Sequence, residues 1–139
     1  MQSEIRVVDN SAEVRQAFED AIARALETCG LTAVAYAVEN ITKNGSVDTG
    51  NLRNSIGKRV DMGEKAVYIG TNVEYAPYVE LGTGKYYPGG RPTPWAYRDD
   101  EGKIHWTAGN PAKPYLAPAV KNHTKTYKDI IEKELKGMG

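Results

Sequence analysis

A small-residue stripe running through the first third of the chain limits what it can fold into more than any other feature. Val14, Phe18, Ile22, Leu26, Val34, Val38 and Ile41 recur mostly at spacings of four or eight, and Ala21, Ala25, Ala33 and Ala37 fill the same side. That period belongs to a helix, and alanine both favours helix and lets neighbours approach closely. The pattern predicts one long helix ending at Asn44-Gly45, where glycine can take the left-handed conformation that closes a helix. Gly30 interrupts the stripe and marks a candidate kink or boundary. Asn10 and Glu13 have the spacing of a capping box at its start, and residues 1–10 read as an arm or short strand ahead of it.

Beyond Gly45 the elements are shorter and more punctuated. Asp48 or Thr49 can cap one helical turn, and Gly50 supplies positive φ for a handover to strands. Ile56 to Val60 and Ala66 to Gly70 read as an antiparallel hairpin about the turn 61–65. Residues 75–81 read as a short helix with Pro77 in its first turn, closed by Gly82. Gly82, Gly84, Pro88, Gly89, Gly90, Pro92 and Pro94 make residues 82–94 an exposed loop without regular structure. Trp95–Arg98 and Lys103–Trp106 flank an acidic turn as a second hairpin, with Trp95, Tyr97 and Trp106 expected on one face. Leu116, Val120, Tyr127, Ile130, Ile131 and Leu135 give one C-terminal amphipathic helix ended by Gly137. The expected class is α+β: long N- and C-terminal helices packed on a small antiparallel sheet, with a long loop bearing a hairpin, in one domain spanning 1–139.

Composition removes several classes of function. Eighteen Lys and Arg balance eighteen Asp and Glu, so nothing global draws the chain to nucleic acid or an anionic surface. One cysteine, Cys29, and two histidines, His105 and His123, leave no zinc set, and Cys29 falls in the apolar stripe as an inert core thiol. The start, MQSEIRVVDN, lacks the basic-then-apolar order of a secretion leader, and no apolar run approaches the roughly 20 residues of a membrane span. The expectation is a soluble domain, cytoplasmic or assembled into a particle, and the sequons Asn40-Ile41-Thr42 and Asn122-His123-Thr124 read as chance. Nine tyrosines and two tryptophans suit a surface buried against partners.

No catalytic constellation emerges. Gly82-Thr83-Gly84-Lys85-Tyr86 fails as a phosphate loop, because Val79 stands where the first glycine is required and Tyr86 where Ser or Thr would hold magnesium. Asp99-Asp100-Glu101 is too compact for a calcium loop and reads as a solvated turn. No serine lies in a nucleophile elbow, and nothing in the sequence brings Asp48 and Glu80 together as a carboxylate pair. Lys58, Arg59, Lys85, Arg91 and Arg98 beside Tyr86, Tyr87 and Trp95 could meet single-stranded nucleic acid, but acids are interspersed throughout. The chain is read as a non-enzyme without cofactor or metal. A small hydrolase or a nucleic-acid-binding protein is the reading from another class.

Three phrases point elsewhere. They are Asp48-Thr49-Gly50-Asn51-Leu52-Arg53-Asn54-Ser55-Ile56, then Tyr75-Ala76-Pro77-Tyr78-Val79-Glu80-Leu81-Gly82-Thr83, then Pro111-Ala112-Lys113-Pro114-Tyr115-Leu116-Ala117-Pro118-Ala119. In this order after an alanine-rich helix, over roughly residues 12–135, they resemble the siphophage tail-component family typified by gene product ten of the Hong Kong ninety-seven coliphage. Members often carry Pro ahead of Asp-Thr-Gly, where this chain has Ser46-Val47, and the segment 84–110 looks like an insertion. The residue types suit fold-making: Leu52 and Ile56 as core anchors, Ala76 and Gly82 for close packing, Pro114 to start the last helix and Leu116 to seat it. The resemblance implies a virion protein of the head–tail neck, a tail-completion subunit acting as a homo-oligomeric ring of hexameric order. Its implied partners are connector or stopper proteins on one side and terminator or tube proteins on the other, with passive contact to DNA in the channel and none to membrane. Tail terminator and head-closure stopper are the alternatives within that class. The expected interface is the loop and hairpin at 82–110, through Tyr86, Tyr87, Arg91, Trp95, Tyr97 and Trp106.

Overall fold

A computed structural model describes residues 3–6, 9–45 and 49–137. Helix α1 runs unbroken from Ser11 to Asn44, and Gly45 closes it with φ 62°. Its buried positions, Ala21, Ala25, Leu26, Cys29, Gly30, Ala33, Ala37 and Ile41, advance mostly by four. Since 3.6 residues make a turn, this stripe winds slowly around the helix and presents small residues to several neighbours in succession. Gly30 is no kink. A Cβ there would come within 2.7 Å of Lys58 Cδ and 2.8 Å of Val67 Cγ2, so the glycine is where a hairpin lies against α1. The expected Asn10 cap is absent, because Asn10 makes no side-chain cap bond. Instead Asp9 Oδ1 accepts from the Ser11 N–H at 2.9 Å. By length and composition α1 is apolar enough to cross a membrane, against the expectation that no such segment exists. Its small-residue stripe is occupied by the hairpin and the C-terminal helices.

Helix α2 covers Thr49–Ser55, nearly two turns where one was expected. It ends as the Ser55 hydroxyl donates back to the Leu52 carbonyl at 2.6 Å. Strands β1 (Gly57–Asp61) and β2 (Ala66–Gly70) pair antiparallel, Gly57 opposite Gly70 and Asp61 opposite Ala66. The first strand thus begins one residue later than expected. The hairpin is pinned to α1 by Lys58 on Glu27 and Lys65 on Glu19. Helix α3 spans Ala76–Leu81 with Pro77 in its first turn. A second hairpin, β3 (Trp95–Arg98) with β4 (Ile104–Thr107), forms its own two-stranded sheet.

The C-terminal helix divides in two. Helix α4 (Leu116–Lys121) stops at Asn122, and α5 (Thr124–Lys136) starts after His123. At the break the His123 ring stacks on Tyr36 with ring centres 3.4 Å apart. From there α5 runs antiparallel to α1, with the Cys29 thiol donating toward the Tyr127 carbonyl at 3.7 Å and Arg24 pairing with Glu134 at 3.1 Å. Burial pushes the Cys29 thiol pKa up, in keeping with an inert core cysteine. The core gathers Ala37, Ile41, Leu52, Ala76, Tyr115 and Ala119, with Ile56, Ile69, Val73, Val79 and Leu116 packed around it. Each of its three large buried side chains, Tyr115, Ile41 and Leu52, contributes about 1.5–3 kcal/mol of apolar burial. The architecture is mixed α+β with two small antiparallel sheets, as expected.

Candidate assembly surface

The centre of the molecule is a junction between α3 and α4. Glu80, on the last turn of α3, turns its carboxylate to the start of α4. Oε2 accepts from the N–H groups of Tyr115 (2.6 Å) and Leu116 (3.0 Å), and Oε1 accepts from Ala117 (2.9 Å). The opening N–H groups of a helix have no partner within it, so a carboxylate arriving from another element satisfies three of them and meets the positive end of the helix dipole. Tyr115 then drops fully buried between α1 and α3, its hydroxyl donating to the Ala76 carbonyl at 3.4 Å. Burial, and secondarily the Glu80 charge and Tyr75, push the Tyr115 phenol up to about 12. Helix α1 closes the junction from its own end. Asn40 donates to the Tyr115 carbonyl at 3.2 Å, and Asn44 to those of Lys113 and Pro114, both at 3.1 Å.

Between α3 and α4 the chain leaves the body as an arm. Its root is a backbone ladder. Lys113 N–H donates to the Val79 carbonyl (2.8 Å), Thr83 to Asn110 (2.9 Å) and Lys85 to Ala108 (3.1 Å), while Asn110 N–H returns a bond to the Thr83 hydroxyl (2.7 Å). The strands sit so close that a Cβ on Gly109, whose φ is 112°, would lie 2.0 Å from the Thr83 carbonyl oxygen. Only glycine fits there. Beyond the root, Gly84–Tyr86 forms one 3-10 turn, a local order not expected of so punctuated a stretch. Tyr78, Thr83, Gly84, Tyr87, Gly90 and Trp95 line an open, apolar hollow of about 370 Å³. Arg91 lies over Trp95 at 5.9 Å and Lys85 over Tyr86 at 5.1 Å.

The outer hairpin has two distinct faces. Register sets Trp95 opposite Thr107, Tyr97 opposite His105, Ala96 opposite Trp106, and Arg98 opposite Ile104. Directly paired residues share a face, so Trp106 lies on the side away from Trp95 and Tyr97, contrary to the single aromatic face expected. Strand alternation fixes the faces within each strand, but only the register of the turn relates one strand to the other. At the tip, Asp99 is more than a solvated acid. Oδ1 accepts from Glu101 N–H (3.0 Å) and Lys103 N–H (2.8 Å), and Oδ2 pairs with His105 at 2.6 Å. The His105 bond first, and the Lys103 N–H next, hold the Asp99 carboxyl below its usual range.

The first two phrases and the long helix before them coincide with a known family. Residues 6–82, more than half of the chain, match the model described as "Bacteriophage HK97-gp10, putative tail-component". The chain belongs to this HK97-gp10-like family of phage tail components. No curated protein and no solved structure matches it.

The HK97-gp10-like span stops at Gly82, so the third phrase lies outside it. Glu80 nevertheless joins that phrase to the second. Leu52 is buried, Ala76 and Gly82 are buried, and Leu116 is half-buried in the core. Ser55 shares a 2.6 Å hydrogen bond with Thr71, and the Tyr75 hydroxyl accepts from Asn51 at 3.3 Å. Two expectations change. Gly50 lies within α2 without positive φ, and a Cβ there would meet nothing, so the handover to β1 does not depend on it. Pro114 is exposed and precedes Tyr115, the residue before the first helical position, so Tyr115 anchors α4 where Pro114 was expected to start it. Pro118 sits inside α4, and its carbonyl accepts from Asn122 N–H at 3.0 Å. Asp48, and with it the Asp48–Glu80 pair, lies outside the described residues. Among the candidate interface residues, Tyr86, Tyr97 and Trp106 are exposed, and Tyr87 and Trp95 line the hollow at the arm's base. Lys58 and Arg59, on the first hairpin, do not join them, being occupied by Glu27 of α1 and Asp61. Tyr78 and Tyr115 carry no sequence signal as strong as their structural roles. The clue for Tyr115 is its place between two prolines in a phrase that otherwise reads as loop.

Proposed function

We propose that this tail component is a structural, non-catalytic subunit of the head–tail neck. It joins the connector side to the tail as a closed homo-oligomeric ring of hexameric order, in contact with connector or stopper proteins and with terminator or tube proteins. The observation that carries the reading is the arm at 82–110. It is held at its root by backbone bonds, yet Tyr86, Tyr97, Ile104 and Trp106 are left exposed beyond it. An apolar, aromatic projection bearing arginine, on a hydrogen-bonded root, has the composition of an interface core. A heterologous contact repeated by rotation closes a ring.

Replacing residues 86–106 by a short Gly-Ser linker tests this. The ladder at the root stays, so the variant folds with the circular dichroism of the parent chain, and it fails to enter phage particles. Particles that incorporate the shortened chain and carry complete tails refute the reading.

A further inference from the structure

Along the sequence acids stand among the cations, and at the base of the arm the fold sorts them apart. From Gly82 to Arg98 there is no Asp or Glu, against Lys85, Arg91 and Arg98. Glu80, just before this stretch, is turned onto the N–H groups that open α4. Glu74 lines a different hollow, between the end of β2 and the start of α4. Asp99, Asp100 and Glu101 lie at the hairpin tip, about 13 Å along β3 from Trp95. Arg98 sits beside them, on the face away from Trp95. Lys85 and Arg91 remain at the base, and neither makes an ion pair among the described residues. Each is held on a ring, Lys85 over Tyr86 and Arg91 over Trp95, and Arg91 Nε also donates to the Thr93 hydroxyl at 3.2 Å.

These two cations border the hollow whose walls include Tyr78, Tyr87 and Trp95. Tyr78 and Tyr87 have ring centres 5.4 Å apart and planes tilted by 43°, so they do not close on each other as a flat stack. Tyr97 shares the face of Trp95 one strand step further on and is 48% exposed. An apolar side chain would fill the hollow and leave the cations unmatched. An acidic peptide would match the cations and leave the rings uncovered. A nucleotide supplies both, a flat base with a phosphate attached, and rings beside unpaired cations are the general means of holding unpaired strands. We propose that this hollow binds single-stranded nucleic acid. One base enters against Trp95 and Tyr87, Arg91 and Lys85 take the flanking phosphates, and Tyr97 receives the next base. One copy of the chain suffices for the site, whatever ring it joins.

Fluorescence polarisation of a labelled oligothymidylate with the full chain at low salt tests this. Binding is expected, and it weakens as salt rises because phosphates are being neutralised. The parent chain holds the oligothymidylate more tightly than a duplex or an abasic sugar-phosphate oligomer. Trp95→Ala weakens binding about five- to a hundredfold, the cost of one lost base stack, and Trp95→Phe, which keeps a ring, restores most of it. Lys85→Ala combined with Arg91→Ala flattens the salt dependence. Circular dichroism matching the parent shows that each variant is folded, and the comparison of ligands on the parent chain stands without any variant. Absence of binding to the oligothymidylate overturns the site. Equal affinity of the parent chain for oligothymidylate, duplex and abasic oligomer overturns it too, because no base is then being held. Poly-glutamate bound as tightly as the oligothymidylate does the same, and marks a cationic surface for an acidic partner.

Discussion

Glu80→Ala removes the carboxylate that joins α3 to α4, and its cost follows from what that side chain holds. Three N–H groups, those of Tyr115, Leu116 and Ala117, lose their acceptor. A hydrogen bond to a charged group contributes about 1.5–3 kcal/mol, and losing a helix cap typically costs about 1 kcal/mol. The three bonds share one carboxylate and are not additive, and water reaches this half-buried site, so the expected loss is about 3 kcal/mol rather than three times a single bond. For a domain of this size that lowers Tm by about 10 °C. Glu80→Gln is the sharper test. Its amide keeps one acceptor oxygen but turns an NH2 toward the remaining N–H groups, so it should lose about half as much. Urea melts followed by circular dichroism measure both. Glu80→Ala within about 0.5 kcal/mol of the parent, the range of an ordinary surface substitution, would show that the junction is held by apolar packing alone.

Four further outcomes are expected. Tyr115→Ala, which opens a cavity in the core, destabilises by about 3–5 kcal/mol, while Tyr115→Phe costs under about 1 kcal/mol because its 3.4 Å bond is weak; chemical denaturation distinguishes them. The same phenol titrates near 12. Its raised value means that stability from this group is complete below about pH 10 and is lost as pH rises through 12, and an ultraviolet tyrosine titration should show a late step that is missing in Tyr115→Phe. Gly30→Ala gains helix propensity of about 1 kcal/mol but drives a Cβ into Val67 and Lys58. A net loss in thermal melts, relieved by adding Val67→Ala, is expected. Asp99, held low by His105 and Lys103, keeps the hairpin tip ordered above its usual titration range near 3.8 and releases it as pH falls through the lower folded value, read as faster amide exchange at Glu101 and Lys103.

Much of this fold is legible in the sequence because it depends on local rules. The stripe from Val14 to Ile41 marks α1 to the residue at its C-terminal end, since Gly45 takes the left-handed conformation that Asn-Gly invites. Pro77 and Gly82 bracket α3, and turn residues bracket both hairpins. Two departures share one physical cause, which is contact between parts distant in sequence. Gly30 looks like a weak point within a helix and is a point of close approach to Lys58 and Val67. The C-terminal stripe looks continuous, and it breaks where His123 finds Tyr36. Trp106 falls on the opposite face from the one expected because the tip, organised by Asp99, fixes a register that alternation alone does not specify.

The same distinction explains why the arm's base is tied to the body while its outer face is open. Glu80 and the Val79–Lys113 bond hold α3 against the start of α4, so the chain that leaves at Gly82 must return within a few ångströms of where it left. A long excursion with closed ends costs little more than a short one, because closure entropy grows only with the logarithm of length. The junction therefore tolerates almost any arm, and the family's matched span ends at the residue where this one begins. A single substitution should separate the two parts. Gly109→Ala, which puts a Cβ 2.0 Å from the Thr83 oxygen at φ 112°, should unlock the root without touching the core. Helix content and Tm of the body should hold while limited proteolysis cuts within 84–108 and incorporation into particles falls. If the whole domain melts together with the arm, the root and the Glu80 junction are one cooperative unit, and scaffold and arm are not separable.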